Sequence, residues 1–478
     1  MNKYKKLAVN TIIFAIGSFG SKIFSLLLNN LYTKHIAPTD FYSKSLVEML
    51  VLFLLPVFSF SITDAIIRYG IDSKYKKEEV FTTACFINLV GMVIMFFVMP
   101  FLKYVPVFKQ VSQYALLLGI YIFTSSLRSL CSQFTRAKGQ VKLFAVDGIV
   151  TTFLLFIFNV LFISMMGLGV KGFMISTILS DLCSALFLFF MAKLYKYFSL
   201  KKLNKCLGKD MLRFSIPLIP TTIMWTFTGF SDQLFIGNIE SNEVFVGQEA
   251  AGIYGAATKV PNLLSMVATI FFQAWNMSAI MEYESEDRNE FFGKVYSAYE
   301  AVLFSSCAVL ILLVKPISAI LINYKTFPEY STAYIYTPML ITASVFTCLN
   351  LFLFSVYTST KHSKNAFWTI MIACVANIIL NMYFIPIWGI HGATIATFLS
   401  YFICYWVRVV DTRKYIAFDF NVFKNILNTI IVILMCLFTV RKEDFVIILV
   451  LALMVFVINI KALILTIKKF INKTTPSN

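Results

Sequence analysis

The sequence predicts an all-α polytopic membrane protein of about 14 transmembrane helices, built as two parallel six-helix repeats plus two extra C-terminal helices. Three observations predict it. Of 478 residues, 59% are hydrophobic and 14% are charged, whereas a soluble domain has roughly 45–50% apolar and 25% charged residues. Apolar runs of about 20 residues, the length that spans a bilayer, recur between polar breaks. Lys and Arg concentrate in alternate breaks, the signature of inserted helices. The same composition excludes disorder. A net charge of +17 would suit nucleic acid, but no soluble face is left to hold it, so no nucleic-acid partner is expected.

Taken in order, MNKYKK precedes an apolar run from Leu7 to Leu31. That run is too long for a signal-peptide core and is read as a retained first helix near 8–31. An outer turn marked by Lys34 and Lys44 leads to the span near 42–63, and Arg68 to Lys77 separate it from 80–102. Lys103 and Lys109 precede 112–133, and Arg136 to Lys142 introduce 143–166. A turn holding Lys171 opens 170–193, and the basic stretch Lys193 to Arg213 leads into 213–237 and then 250–276. The acidic stretch Glu282 to Glu290 precedes 294–322, Lys325 marks the turn before 331–358, and 365–387 and 388–410 follow. The last pair, near 422–440 and 444–467, is divided by Arg441 and Lys442. These runs are too long for barrel strands and lack strict alternation, so only helices fit.

With both termini placed in the cytoplasm, 29 of the 41 basic residues fall on that side, 8 fall outside, and Lys22, Arg128, Lys259 and Lys315 lie within spans. This orients the chain as a multi-pass protein with cytoplasmic termini. Of nine cysteines, eight lie in apolar runs and none forms a CxxC pair, so they read as buried small hydrophobes. The three histidines are dispersed and there is no P-loop or nucleophile elbow. Neither ATP-driven transport nor enzymatic chemistry is therefore expected, and no cofactor beyond a proton or sodium gradient.

An internal repeat organises the spans. Asn159 to Phe173 and Asn381 to Ala393 share an asparagine late in one span, a glycine turn and a Thr/Ser-spotted span after it. The offset is 222 at the asparagines and 220 at Gly172 and Gly392; Tyr42 and Tyr254 form a weaker pair at 212. Six spans per copy give both copies the same orientation, the parallel-repeat plan of transporters whose substrate site lies between lobes. The expected domains are 1–205, 206–415 and an appendix 416–478.

Spans seven and eight are the most specific text. Pro217 and Pro220, the Ser231-Asp232-Gln233 triplet, the segment Ala251 to Val260 and Ala274-Trp275 resemble the polysaccharide-export flippases of the multidrug/oligosaccharidyl-lipid/polysaccharide exporter superfamily. Residues 10–42 and Ile67-Arg68-Tyr69 resemble the same family. The resemblance implies flipping of an undecaprenyl-diphosphate-linked repeat unit between leaflets by alternating access, in a bacterial cytoplasmic membrane, for O-antigen, capsule or exopolysaccharide. Its partners would be the lipid-linked oligosaccharide, membrane lipid and a polysaccharide polymerase. One departure is Gln233, where the family often carries Arg or Lys.

An ionisable group at membrane depth is expensive and marks a candidate site. Within the spans stand Lys22, Glu48, Arg128, Asp147, Asp181, Asp232, Lys259, Glu300 and Lys315. Asp147 and Glu300 lie within a turn or two of the cytoplasmic end, Glu48 lies close to the outer interface, and Lys315 near the outer end can snorkel. Lys22, Arg128 and Lys259, with Arg68 just below span two, are candidate ligands for a diphosphate, which needs cationic donors. Asp181 and Asp232 are candidate coupling or counter-ion groups, with Asp232 placed to pair with Lys22 across the lobes. Asn30, Asn159, Asn276, Asn350 and Asn381, with Trp225 and Trp275, suit either sugar contacts or interhelical hydrogen bonds. Two other readings stand beside the flippase. A cation-coupled multidrug exporter would want an acidic lining, and a membrane glycosyltransferase or polymerase would want a large outer loop with clustered acids. The orientation is testable. A cysteine placed beside Lys325 on a cysteine-free background is expected to react with an impermeant maleimide in intact cells, and labelling only in inverted vesicles would reverse it.

Overall fold

The computed structural model describes residues 24–471 apart from 73, 242, 284, 361, 442 and 443. Every regular element among the described residues is helical. The chain forms two compact units that divide between Phe230 and Ser231.

In the first unit, residues 24–35 form α1. Helix α2, Pro38–Phe58, starts on a proline, whose missing N–H costs nothing in the first turn. Phe60 and Ser61 take positive φ and turn the chain into the short α3, Ile62–Ile71. Helix α4, Lys77–Val98, follows, then a run of 3-10 turns, α5 over Ala115–Ala137, and α6 over Val141–Asn159. Helix α6 continues as a π turn, Val160–Met165, before α7, Gly169–Met191. Helix α5 packs on α3 and α7, and α6 on α7. Their core holds Phe81 stacked on Phe134 at 4.5 Å. Helix α8, Lys205–Ser215, is amphipathic and buries Leu207, Gly208, Met211 and Ser215. Asn204 caps it, accepting from Leu207 N at 3.1 Å and donating to Glu79 Oε2 at 2.9 Å, which ties α8 to α4.

The span expected over 213–237 is divided. Pro217 sits in a 3-10 turn, Ile216–Leu218, and Pro220 in the first turn of α9, Ile219–Asn238. Each proline lacks a helical N–H donor and crowds the preceding turn, so the helix restarts there. The second unit begins within α9. The span expected over 250–276 is also broken, into α10, Gln248–Ala257, and α11, Pro261–Glu282, with Pro261 opening the second piece. The two pieces meet at 47°. Then come α12, Arg288–Leu312, α13, Val314–Leu321, α14, Ala333–Thr360, α15, Ser363–Trp388, and α16, Ile390–Thr412. Helices α17, Val422–Arg441, and α18, Phe445–Ile471, pack on each other and on α12. Helix α14 is central, against α11 and α16. At its core the buried Trp275 stacks on Phe352 at 4.6 Å and donates to Ser355 Oγ at 2.7 Å.

Eleven described helices are long and apolar enough to cross a membrane, or 12 with the bent pair α10–α11 counted as one span. This makes the chain a multi-pass membrane protein; the count of 14 is not confirmed. Residues 8–23 of the expected first span lie outside the described residues.

The glycine turns of the repeat have matching geometry. Gly169 and Gly389 both take positive φ, 50° and 56°. A Cβ on Gly172 would stand 2.9 Å from the Phe162 carbonyl oxygen, and one on Gly392 would stand 2.2 Å from that of Phe384. Each glycine therefore lets the second helix of its turn approach the backbone of the first. G172A and G392A are both expected to lower the melting temperature in detergent, G392A more, each by an overpacking cost of about 1–3 kcal/mol or above. Equal, near-zero shifts would show that these contacts do not hold the turns.

Candidate functional site

Each unit contains a buried polar cluster between its helices. In the first, Ser125 and Arg128 lie one turn apart on α5, and Asp181 and Ser184 one turn apart on α7, so both pairs share a helix face. Arg128 Nη1 lies 3.2 Å from Asp181 Oδ1, and Arg128 Nε donates to Ser184 Oγ at 3.2 Å. Ser125 donates to Asp181 Oδ2. Ser184 passes the chain on to Asp147 Oδ1 of α6 at 2.6 Å, and Thr151 donates to the Asp147 carbonyl. The Arg128 side chain stays 33% exposed while that of Asp181 is 6% exposed. The Arg128 side chain is thus held by Asp181 and Ser184 and is still partly exposed.

The second cluster surrounds Asp232, which is 3% exposed. Its Oδ1 accepts from Asn377 at 3.1 Å and Asn381 at 2.7 Å, side chains one turn apart on α15. Its Oδ2 accepts from Tyr254 of α10 at 2.5 Å and from Thr397 of α16. Ser231 supports the cage by donating to Asn377 Oδ1 at 2.5 Å. All four donors are neutral, and among the described residues no basic side chain pairs with Asp232. The Asn381 Oδ1 is buried and meets no donor. A carboxylate inside a helix bundle without a counter-cation is costly however well it is hydrogen-bonded, and binding a proton or a monovalent cation relieves that cost.

The other candidates are placed as follows. Lys22 lies outside the described residues, so its pairing with Asp232 does too. Arg68 is exposed in the last turn of α3, its guanidinium 4.9 Å over the Phe214 ring. Lys259 sits half-buried at the break between α10 and α11 rather than inside a straight span. Of the six candidates the structure brings Arg128 and Asp181 together directly. Several asparagines prove to be internal ties: Asn350 donates to Tyr401 O at 3.0 Å, and Asn276 accepts from Thr358 at 2.6 Å. The Trp225 side chain lies outside the described residues. Glu300 is buried, accepting from Asn425 at 2.7 Å with Lys424 at 3.9 Å, and so fastens α12 to α17.

Two buried cations were missed in the sequence. Lys44, assigned there to an outer turn, is 1% exposed within α2 and lies 2.6 Å from Glu48 Oε1. The (i, i+4) spacing of the two residues was the available signal. Arg408 is fully buried on α16 and donates to Thr369 Oγ1 at 3.0 Å, Asn350 O at 2.8 Å and Ala366 O at 3.4 Å. Outside the spans, burial and then the nearby Lys77 push the Lys138 ammonium below its usual range, and Lys138 donates to Ala192 O at 2.6 Å.

The sequence model of a family described as "Polysaccharide biosynthesis protein" matches residues 7–276, more than half of the chain. No curated protein matches significantly. Among solved structures, the "Lipid II flippase MurJ, inward closed conformation" aligns with a TM-score of 0.67 at 15% identity, over 97% of this chain and 99% of that one. Two structures of a multidrug resistance MATE family transporter of the MOP superfamily also align. The inward-facing one has a TM-score of 0.67 at 14% identity, over 87% and 99%. The outward-facing one has 0.63 at 16%, over 87% and 96%. At these identities the likeness shows a shared fold.

The first cluster generates a stability prediction. R128A strands Asp181 as a buried carboxylate and is expected to cost about 1–3 kcal/mol in detergent melts, while R128A/D181N recovers part of that loss. A double variant no more stable than R128A would mean that the pair is not coupled.

Proposed function

As the chain belongs to the polysaccharide biosynthesis protein family, we propose that it is a flippase moving undecaprenyl-diphosphate-linked oligosaccharide repeat units across the bacterial cytoplasmic membrane. It would work by alternating access of lobes 1–205 and 206–415, with 416–478 as an appendix and both termini cytoplasmic. The product would feed a polymerase making O-antigen, capsule or exopolysaccharide. The observation that carries the reading is Arg128: a guanidinium inside a spanning helix, anchored by Asp181 and Ser184 yet one-third exposed. A diphosphate needs such a planar, charge-assisted donor. Lys22, Arg68 and Lys259 are the further cationic ligands in this reading. Moving the substrate against a gradient would need an energy source, and Asp232 would offer a place to couple one. Tyr254 and Thr397 can rotate from donating a hydrogen bond to offering oxygen lone pairs, and Asn381 already has an unused oxygen. Asp232 would thus alternate between its neutral donor cage and a bound proton or sodium ion, coupling transport to that gradient.

Two measurements test this. Cells lacking the protein are expected to accumulate lipid-linked repeat units on the inner leaflet, whereas unchanged surface glycan with raised dye accumulation would favour a drug exporter. In proteoliposomes carrying a defined lipid-linked oligosaccharide, R128A is expected to cut flipping at least about tenfold, the equivalent of losing one charge-assisted hydrogen bond. D232N is expected to abolish its response to an imposed sodium or proton gradient while leaving the Arg128 requirement intact. Gradient-driven flipping by D232N at the unmodified rate would remove Asp232 from the coupling role.

A further inference from the structure

The two halves differ in the charged groups near their repeat-related asparagine and threonine. In the second unit the residues around Asp232 include Asn381, Thr397 and Tyr254. Their repeat partners in the first are Asn159, Thr177 and Tyr42, at offsets of 222, 220 and 212. The local geometry corresponds: Thr177 Oγ1 lies 3.0 Å from Phe173 O, and Thr397 Oγ1 lies 3.0 Å from Ala393 O. Asn159 and Asn381 are both fully buried, and each leaves its Oδ1 without a donor. The acid is not repeated. At the tyrosine offset Asp232 corresponds to Gly20, and residues 1–39 contain no Asp or Glu.

Lys44 and Glu48 of α2 stand close by, with the Lys44 ammonium over the Phe173 ring one turn before Thr177. The Lys44 ammonium lies 2.6 Å from Glu48 Oε1 and is boxed by the rings of Tyr32 and Phe173 at 4.5 Å and Phe41 at 5.4 Å. Phe173 belongs to the same repeat-related turn of α7 that carries the threonine. An ammonium over aromatic faces and beside a carboxylate satisfies what a monovalent cation would satisfy. It differs in being covalently attached, and cannot exchange.

We infer that Lys44 is a tethered replacement for a mobile cation in the first unit, so that the chain carries one exchangeable monovalent-cation site, at Asp232, and not two. The assignment of that one site rests on the coupling reading of Asp232; the tether at Lys44 does not.

Sodium binding to the purified full-length protein in detergent, counted with radioactive sodium at equilibrium, tests both parts separately. The unmodified protein is expected to bind one sodium, D232N none, K44M two, and K44M/D232N one. K44R keeps the tethered charge and is expected to bind one. E48Q in the otherwise unmodified chain is expected to leave binding at one. The inference is overturned if the unmodified protein binds two ions and E48Q removes one of them, or if K44M/D232N melts like D232N yet binds none. Should K44M not fold, loss of binding in E48Q would overturn it equally. Failure of the Asp232 reading looks different: D232N then binds as much sodium as the unmodified protein, while K44M still gains one ion.

Discussion

A charged group inside these helices has to be compensated within the protein, because a bilayer core has no water to stand in. That constraint explains why the buried charges come in such different settings. Arg128 leans on a carboxylate, Lys44 on a carboxylate and three rings, and Arg408 on two backbone carbonyls and a hydroxyl. Asp232 alone of these four rests on neutral donors throughout. In the first three the cation has an acceptor or a ring beside it within the protein. The fourth has no counter-cation among the described residues, and the cost of a charge held that way would change with what binds it.

Much of the fold was legible in the sequence because hydrophobic length and basic-residue alternation report directly on insertion. The helices over 143–166, 170–193 and 388–410 fell near their expected places for that reason. The expected spans over 213–237 and 250–276 looked continuous because hydropathy averages over the breaks at Pro217, Pro220 and Pro261 that the backbone cannot average. At the candidate site, Asp181, Asp232 and Arg128 were visible as charges out of place. The cage around Asp232 was not, since Tyr254, Asn377, Asn381 and Thr397 come from three helices that only packing assembles about it. Lys44 escaped for another reason: the nearby Lys34 and the start of a span made it look like part of an outer turn.

The repeat copies a scaffold and lets its chemistry diverge. The glycine turns and the threonine back-bonds are shared, which are features of backbone packing. The charged residues are not shared. Arg128 and Asp181 form an ion pair in one unit, whereas the repeat position of Asp181 holds Tyr401 in the other. Each half can therefore carry its own set of charges without compromising the packing of its unit.

The turn between α6 and α7 shows how tolerant that scaffold is. From Phe162 to Gly172 the first copy has two more residues than the second has from Phe384 to Gly392. It spends them on a π turn and on a link holding two positive-φ glycines, Gly167 and Gly169, where the second copy turns on Gly389 alone. Both still bring the later glycine beneath the same phenylalanine carbonyl. Chain length there is negotiable and the contact is not. A comparison of the halves by a single fixed numbering shift consequently slips by two residues at this point, setting Asp181 against Ile403 and hiding the threonines' equivalence.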